Sequence, residues 1–166
     1  AGTDRFGRDM LSRILVGLKT SVTSTMILVA VITVTGSALG LICGYFGGIA
    51  DTVIMRISDI CLAFPGLVFA MAIAALLNGG ISNAVLALAL ISWPKYARIA
   101  RSQTLTVKNT NFMAASQLAG CTSWQMIWRH ILPNIAGPML VTSMLDIGTM
   151  MMELAGLSFL GLGAQP

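Results

Sequence analysis

Acidic side chains are scarce in this 166-residue chain: six Asp and Glu stand against ten Lys and Arg, and none falls between Asp59 and Asp146. Charge of either sign makes up only 10% of the residues, against roughly 25% in a soluble domain, so a water-exposed helical bundle is excluded. Cysteine is limited to Cys43, Cys61 and Cys121 with no C-x-x-C spacing. That removes zinc ribbons and disulfide frameworks, and small buried residues are what remain. The alternating pattern of a membrane barrel is missing. So is a G-x-x-x-x-G-K-[ST] phosphate loop, and the chain is therefore not expected to bind ATP itself. Its start, AGTDRFGRDM, mixes charges and precedes no short cleavable apolar run, so this stretch is not expected to be a secretory signal. It opens without Met, and a piece of a longer or trimmed polypeptide is expected.

Apolar surface is what the chain has in abundance, with 56% hydrophobic residues and a mean hydropathy of +0.85. No charge occurs over residues 20–50 or 60–94, and about 20 apolar residues cross a bilayer as a helix. The second run is divided by NGGISN at 78–83, a turn signal. The expected architecture is all-α and polytopic, with spans at about 20–46, 52–77, 84–101 and 131–155. Lys95, Arg98, Arg101, Lys108 and Arg129 all lie between the third and fourth spans, which puts that connection in the cytoplasm by the positive-inside rule. The first and third spans then run inward, the second and fourth outward. Arg5, Arg8, Arg13 and Lys19, mixed with Asp4 and Asp9, oppose that count locally; a helix lying on the surface over about 9–19 would relieve the conflict.

Several residues invite a role. Lys95, Arg98 and Arg101 recur every third position and form a slanting basic stripe suited to anionic lipid headgroups or a partner protein. Gly36, Gly40, Gly44 and Gly48 make a small-residue face for close helix packing. Pro65 and Pro94 predict bends. Arg56 and Asp59, three apart, are expected to pair on one helix face. Asp146 lies deep in the fourth apolar run with Glu153 seven residues on, nearly the same face. Intramembrane acids cost free energy and mark a pathway or a partner helix. Met150, Met151 and Met152 point about 100° apart on a helix, too divergent to converge on one metal ion. Ser158 and His130, the most plausible hydrolase pair, would stand a span apart, which excludes that chemistry.

The stretch NFMAASQLAGCTSWQMIWRHILP at 111–133 interrupts the oil. Asn109, Thr110 or Asn111 is placed to cap a short helix, Gly120 to end it, and Thr122 with Gln125 to open a second one through a capping box. Two short helices around a glycine turn, carrying Phe and Met, suit docking into a groove of another protein.

AASQLAG at 114–120, followed nine residues later by HILP at 130–133, resembles the cytoplasmic signature of permease subunits of binding-protein-dependent ATP-binding cassette importers. GTDRFGRDMLSR at 2–13, MRISDICLAFP at 55–65, WPKYARIAR at 93–101 and GLSFLGLGAQP at 156–166 narrow the likeness to the "C"-type subunit of the dipeptide, oligopeptide and nickel permeases. The resemblance covers essentially the whole chain and implies one transmembrane domain of the type I importer fold, with 109–130 as its coupling-helix loop. It implies that Phe112, Met113, Ala114, Ala115, Ser116, Gly120, Leu132 and Pro133 couple to an ATPase. The family's signature Glu is Ala114 here, its third position Ser116 and its Ile His130, so docking by shape and apolar contact is expected. Family members carry a span before GTD and another after GLGAQP, and this chain is expected to match the core between them.

The implied partners are a second permease subunit in a heterodimer, two cytoplasmic ATPase subunits holding ATP and Mg, an external substrate-binding protein and membrane lipid, with no nucleic acid. The implied location is the inner membrane of a bacterium or archaeon. No catalytic residue, metal site or cofactor of its own is expected. The run LDIGTMMMELAGLSFLGLG at 145–163 is closer to nickel-type members than to dipeptide ones. The alternative function is an ion-gradient-driven secondary transporter or channel using Asp146 and Glu153 as relay or ion ligands; obligatory co-purification with an ATPase separates the two.

Overall fold

A computed structural model describes Gly2, Gly7 and residues 9–163. Asp4, Arg5 and Arg8 of the N-terminal charge cluster, and the last three residues of the GLSFLGLGAQP motif, lie outside the described residues. The elements are α1 (Met10–Phe46), α2 (Gly48–Ala63), α3 (Gly66–Leu76), α4 (Ile81–Lys108), α5 (Asn111–Leu118), α6 (Ser123–Met126), a π-helical turn (Ile127–Ile131) and α7 (Leu132–Phe159).

Helix α1 is one uninterrupted rod of 37 residues, so the surface helix expected over 9–19 is fused to the first span. At about 1.5 Å per residue the rod is roughly 55 Å long, beyond the ~30 Å hydrocarbon core. Asp9 starts it: its carboxylate accepts the Leu11 and Ser12 amides at 3.2 and 3.3 Å and the Ser12 hydroxyl at 2.6 Å. These bonds hold Asp9 below the usual carboxylate range.

The second span is not one bent helix. Phe64 is extended and Pro65 starts α3, with the axes of α2 and α3 turned by 94°. Proline forces its predecessor out of the helical region and cannot donate to the preceding turn, so the chain breaks there rather than kinking. The 11 residues of α3 are too few to cross a bilayer alone. The following turn is shorter than NGGISN implies. Asn78, Gly79 and Gly80 all have positive φ, α4 already begins at Ile81, and Asn83 ties the loop down by donating to the carbonyls of Leu77 and Gly79 at 2.6 and 2.7 Å. Pro94 does not end α4, which continues to Lys108.

Helices α1 and α6–π–α7 (Ser123–Phe159) are long and apolar enough to span, and the α2–α3 pair counts as a third span if taken as one broken element. The expected third span, α4, has the length but not the apolarity, because Lys95, Arg98 and Arg101 sit on it. Packing nevertheless makes α4 the central helix. Gly36, Gly40 and Gly44 of α1 lie directly on its backbone: a Cβ at Gly40 would meet Ala100 Cβ at 2.7 Å, and one at Gly44 would meet Thr104 Cβ at 2.8 Å. Side chains there would hold the helices apart, so glycine permits the close approach. Gly48 is not on this seam; it opens α2 with a φ of +68° and open space around it. The seam pairs ascend together along both chains, so α1 and α4 are parallel. Asp146 meets Lys95 and Met150 meets Ser92, so α7 is antiparallel to α4, and so is α2, whose Asp51 and Asp59 meet Arg101 and Arg98. These relative directions match those expected from charge.

Two apolar clusters result. The larger joins Leu28, Ile32, Leu88, Ile91, Met139 and Leu157 among α1, α4 and α7. The smaller joins Leu41, Met113, Met126, Ile127, Ile131 and Ile135 at the α5/α6 end. All three cysteines are free thiols, Cys43 buried and the other two half-buried.

Candidate functional site

At the α5/α6 end the chain leaves α4 at Asn109 and forms two short helices. Thr110 is the N-cap residue of α5, but its hydroxyl donates back to the Val107 carbonyl at 2.6 Å instead of capping. Gly120, at φ +84°, closes α5 in a left-handed turn. Its amide donates to Gln117 and the Cys121 amide to Ser116, at 3.1 and 3.2 Å, which satisfies two carbonyls a right-handed ending would leave unpaired. Thr122 and Gln125 form the reciprocal capping box that opens α6. The π turn follows because Pro133 has no amide to give to Arg129, and the Leu132 amide reaches back five residues to Ile127. Asn134 Nδ2 fills in at the His130 carbonyl, 2.6 Å away.

The residues expected to couple to an ATPase separate into two groups. Phe112, Ala114, Ala115, Gly120 and Pro133 are exposed and Ser116 is half-exposed. Met113 is 1% exposed inside the smaller core, and Leu132 packs against the same cluster. Met113 is therefore an anchor of α5 rather than a contact for another protein, since the i+1 neighbour of an exposed helical residue turns about 100° away. Leu118, Trp124 and Trp128 belong to the exposed face but were not singled out for it; Leu118 is 91% exposed and Trp124 68%. The two indoles lie 5.4 Å apart between centroids, tilted by 59°, and Phe112 lies 6.2 Å from the His130 ring. Apolar residues on a short helix with no core beneath them on that face were the available signal.

The basic stripe of α4 pairs with acids of neighbouring helices, while Lys95 and Arg98 themselves remain exposed. Lys95 donates to both oxygens of Asp146 on α7, at 2.7 and 2.8 Å. Arg98 donates to Asp59 and, at 3.2 Å, to the buried Ser58 hydroxyl of α2. Arg101 holds Asp51 of α2 with two bonds at 2.5 and 2.6 Å. Three bases, each a turn apart, thus pair with acids from two other helices. Asp59 takes Arg98 in place of Arg56, which stays exposed; the expected Arg56–Asp59 pair is not formed. The local i, i+3 option loses because α2 turns its Ser58 and Asp59 side onto α4. At the far end of α4, Lys108 donates to the Tyr45 carbonyl at 2.7 Å and covers the Tyr45 ring at 5.4 Å, a cation placed at the negative end of α1.

Asp146 is 6% exposed and neutralised by Lys95. The Tyr96 hydroxyl faces Asp146 and Thr33, and the hydroxyls of Tyr96, Thr33 and Ser37 are all buried, so polar groups stand within the apolar bundle. Glu153 is half-buried two turns further along α7, and among the described residues it has neither a hydrogen bond nor an ion pair. Met150 is buried against Ser92, while Met152 is 78% exposed, so the methionine run diverges as helical geometry requires.

Residues 36–166 match the family described as "Binding-protein-dependent transport system inner membrane component". The chain is 44% identical over 164 residues to the "Probable D,D-dipeptide transport system permease protein DdpC" of Escherichia coli K12, covering 99% of this chain and 55% of the relative. It is 41% identical over 165 residues to the "Glutathione transport system permease protein GsiD" of Pectobacterium atrosepticum, with 99% and 55% covered. It is likewise 41% identical to the "Dipeptide transport system permease protein DppC" of Haemophilus influenzae, with 99% and 56% covered. The chain thus spans about half the length of the curated relatives it matches. An all-helical membrane domain, a glycine-seamed helix pair and a short helix-turn-helix at one end belong together here: the chain is a member of the binding-protein-dependent transport system inner membrane component family.

Proposed function

We propose that the protein is a permease subunit of an ATP-driven, binding-protein-dependent importer of di- or oligopeptides or glutathione, working by alternating access in a bacterial inner membrane. The observation that carries this is the α5–Gly120–α6 unit. It is anchored inward by Met113 and Met126 and leaves Phe112, Leu118, Trp124 and Trp128 exposed. An amphipathic helix of this kind docks into a groove of another protein, and a cytoplasmic ATPase pair is the partner we assign, bound through Phe112, Ala114, Ala115, Ser116 and Gly120 across the 109–130 loop. The ATPases hold ATP and Mg; this chain contributes a non-catalytic half of the pore, with a second permease subunit as the other half and an external binding protein delivering substrate.

Peptides are favoured over nickel because the relatives are named for D,D-dipeptide, glutathione and dipeptide transport; the nickel-like run at 145–163 gains no support from those names. The ion-driven alternative is weakened by the pairing of Asp146 with Lys95, which occupies the acid it needed as an open ion ligand. Crosslinking tests the assignment. In the full-length protein, Ala114→Cys should crosslink to a cysteine introduced in the ATPase cleft and co-purify with it. A protein that purifies without any ATPase and yields no crosslink at Ala114 or Leu118 would refute it.

A further inference from the structure

The links that tie α4 to its neighbours are unequal. Helices α1 and α4 form one body, sealed by the glycine seam and by Lys108 on the Tyr45 carbonyl. Helix α2 is held to α4 twice, through Arg98 and Arg101. Helix α7 has one ionic tie to α4, Lys95–Asp146, beside the soft contact of the Ser92 hydroxyl with Met150 Sδ at 3.9 Å. Its root is the π turn, and Pro133 and Pro138 near that root each remove a helix donor. Such an inner end yields more readily than a regular helix.

Glu153 is the second half of the observation. It stands seven residues beyond Asp146, about 10 Å along the axis and about 20° around it, half-buried and without a partner among the described residues. The charged groups that act on it are Asp146 and Lys95. Ionisable residues inside a membrane pair with one another or line a pathway, and Lys95 is the base that acts on Glu153. A lysine chain is long and flexible enough to cover part of 10 Å by turning its head. A one-turn slide of α7, about 5.4 Å, covers the rest, and one-turn ratchets of one packed element past another are an established kind of switch.

We propose that Lys95 has two seats on α7, Asp146 in the state described here and Glu153 in a second state, and that α7 moves along α4 between them during the transport cycle. This rests on the importer assignment above. Lys95 is in this view a positioning residue: it fixes where α7 stops in each state by choosing which acid it neutralises, Asp146 in the first and Glu153 in the second, with the other acid left without the lysine. Asp146 alone would fix one state and leave Glu153 without a purpose on that face.

The experiment uses the full-length protein with its ATPase, second permease subunit and binding protein in ATP-loaded proteoliposomes, with radiolabelled dialanine as the probe. Glu153→Gln removes the second seat only. It should leave the melting temperature of the resting complex unchanged, yet lower dialanine taken up per ATP hydrolysed by about tenfold or more, within the range of a coupling between two states. Glu153→Asp should recover part of that ratio. Lys95→Met should lower it to the same level, and adding Glu153→Gln to Lys95→Met should lower it no further. A Glu153→Gln complex with wild-type uptake per ATP refutes the two-seat exchange, as does one whose melting temperature falls with its activity. A wild-type complex that takes up neither dialanine nor, tested in parallel, a labelled oligopeptide or glutathione refutes the importer assignment instead, and the exchange with it.

Discussion

Replacing Gly40 by alanine adds a single methyl group at the tightest point of the α1–α4 seam. That methyl would lie against the Ala97 carbonyl oxygen, 2.7 Å from Ala100 Cβ and 2.9 Å from the Arg101 amide nitrogen. Ordinary contact begins near 3.4 Å, so the helices must separate by at least about 0.7 Å to clear Ala100 Cβ, and by more to clear the Ala97 carbonyl. Two of the three obstacles are backbone, which no rotamer change can move. Overpacking of this kind costs about 1–3 kcal/mol, opposed by up to about 1 kcal/mol from the better helix propensity of alanine. A net loss of about 1–2 kcal/mol follows from these two terms, which for a chain of this size lowers the melting temperature by about 2–8 °C. Gly148→Ala is the control: it lies within α7 with nothing within 4 Å of its Cβ position, so only the propensity gain applies. The assay is thermal unfolding of the chain in mild detergent, followed by near-UV circular dichroism. Equal melting temperatures for Gly40→Ala and Gly148→Ala would refute the claim that backbone contact, rather than general membrane compatibility, requires glycine on this face.

Met113→Ala removes the buried anchor of α5 and should cost about 2–5 kcal/mol, seen as faster proteolysis within 109–123, whereas Leu118→Ala should leave proteolysis unchanged and weaken only ATPase binding. Arg101→Met leaves Asp51 unpaired and should lower stability by about 1–3 kcal/mol, since both groups are only partly exposed; Arg101→Met with Asp51→Leu should recover most of that loss in the same melting assay. The Asp9 carboxyl is held below its unfolded value, so its contribution to the first turn of α1 is complete above the usual carboxylate range. It is lost as pH falls through the lowered value. Amide exchange at Leu11 and Ser12 should therefore gain protection between acid and neutral pH in wild type but not in Asp9→Ala.

Local signals in the sequence located the elements wherever the deciding physics is local. The Thr122–Gln125 capping box, the Gly120 ending and the divergence of Met150 from Met152 depend on a few neighbouring residues and appear as expected. Pro65 was legible as an interruption, but not as a 94° break, because a proline's effect depends on whether neighbours fill the gap it leaves. Pro94, equally visible, leaves α4 intact. Within 111–120 the pattern predicted a short helix, yet only packing revealed that Met113 faces inward while Leu118 faces out. Short helices with few residues per face give periodicity too little length to choose between them.

Composition alone determined that this is an all-helical membrane protein, because unpaired backbone in lipid allows no other reading of such long uncharged runs. The glycine spacing likewise implies a close helix contact, which Gly36, Gly40 and Gly44 make with α4. What only the tertiary structure decided is where the charges go. Lys95, Arg98 and Arg101 looked like headgroup anchors, and Arg56 looked like the partner of Asp59. Across 39 to 51 residues of chain, no sequence rule says which acid meets which base. The seam that joins α1 to α4 sets the rotation of α4, and that rotation brings the stripe alongside α2 and α7, within reach of Asp146, Asp59 and Asp51.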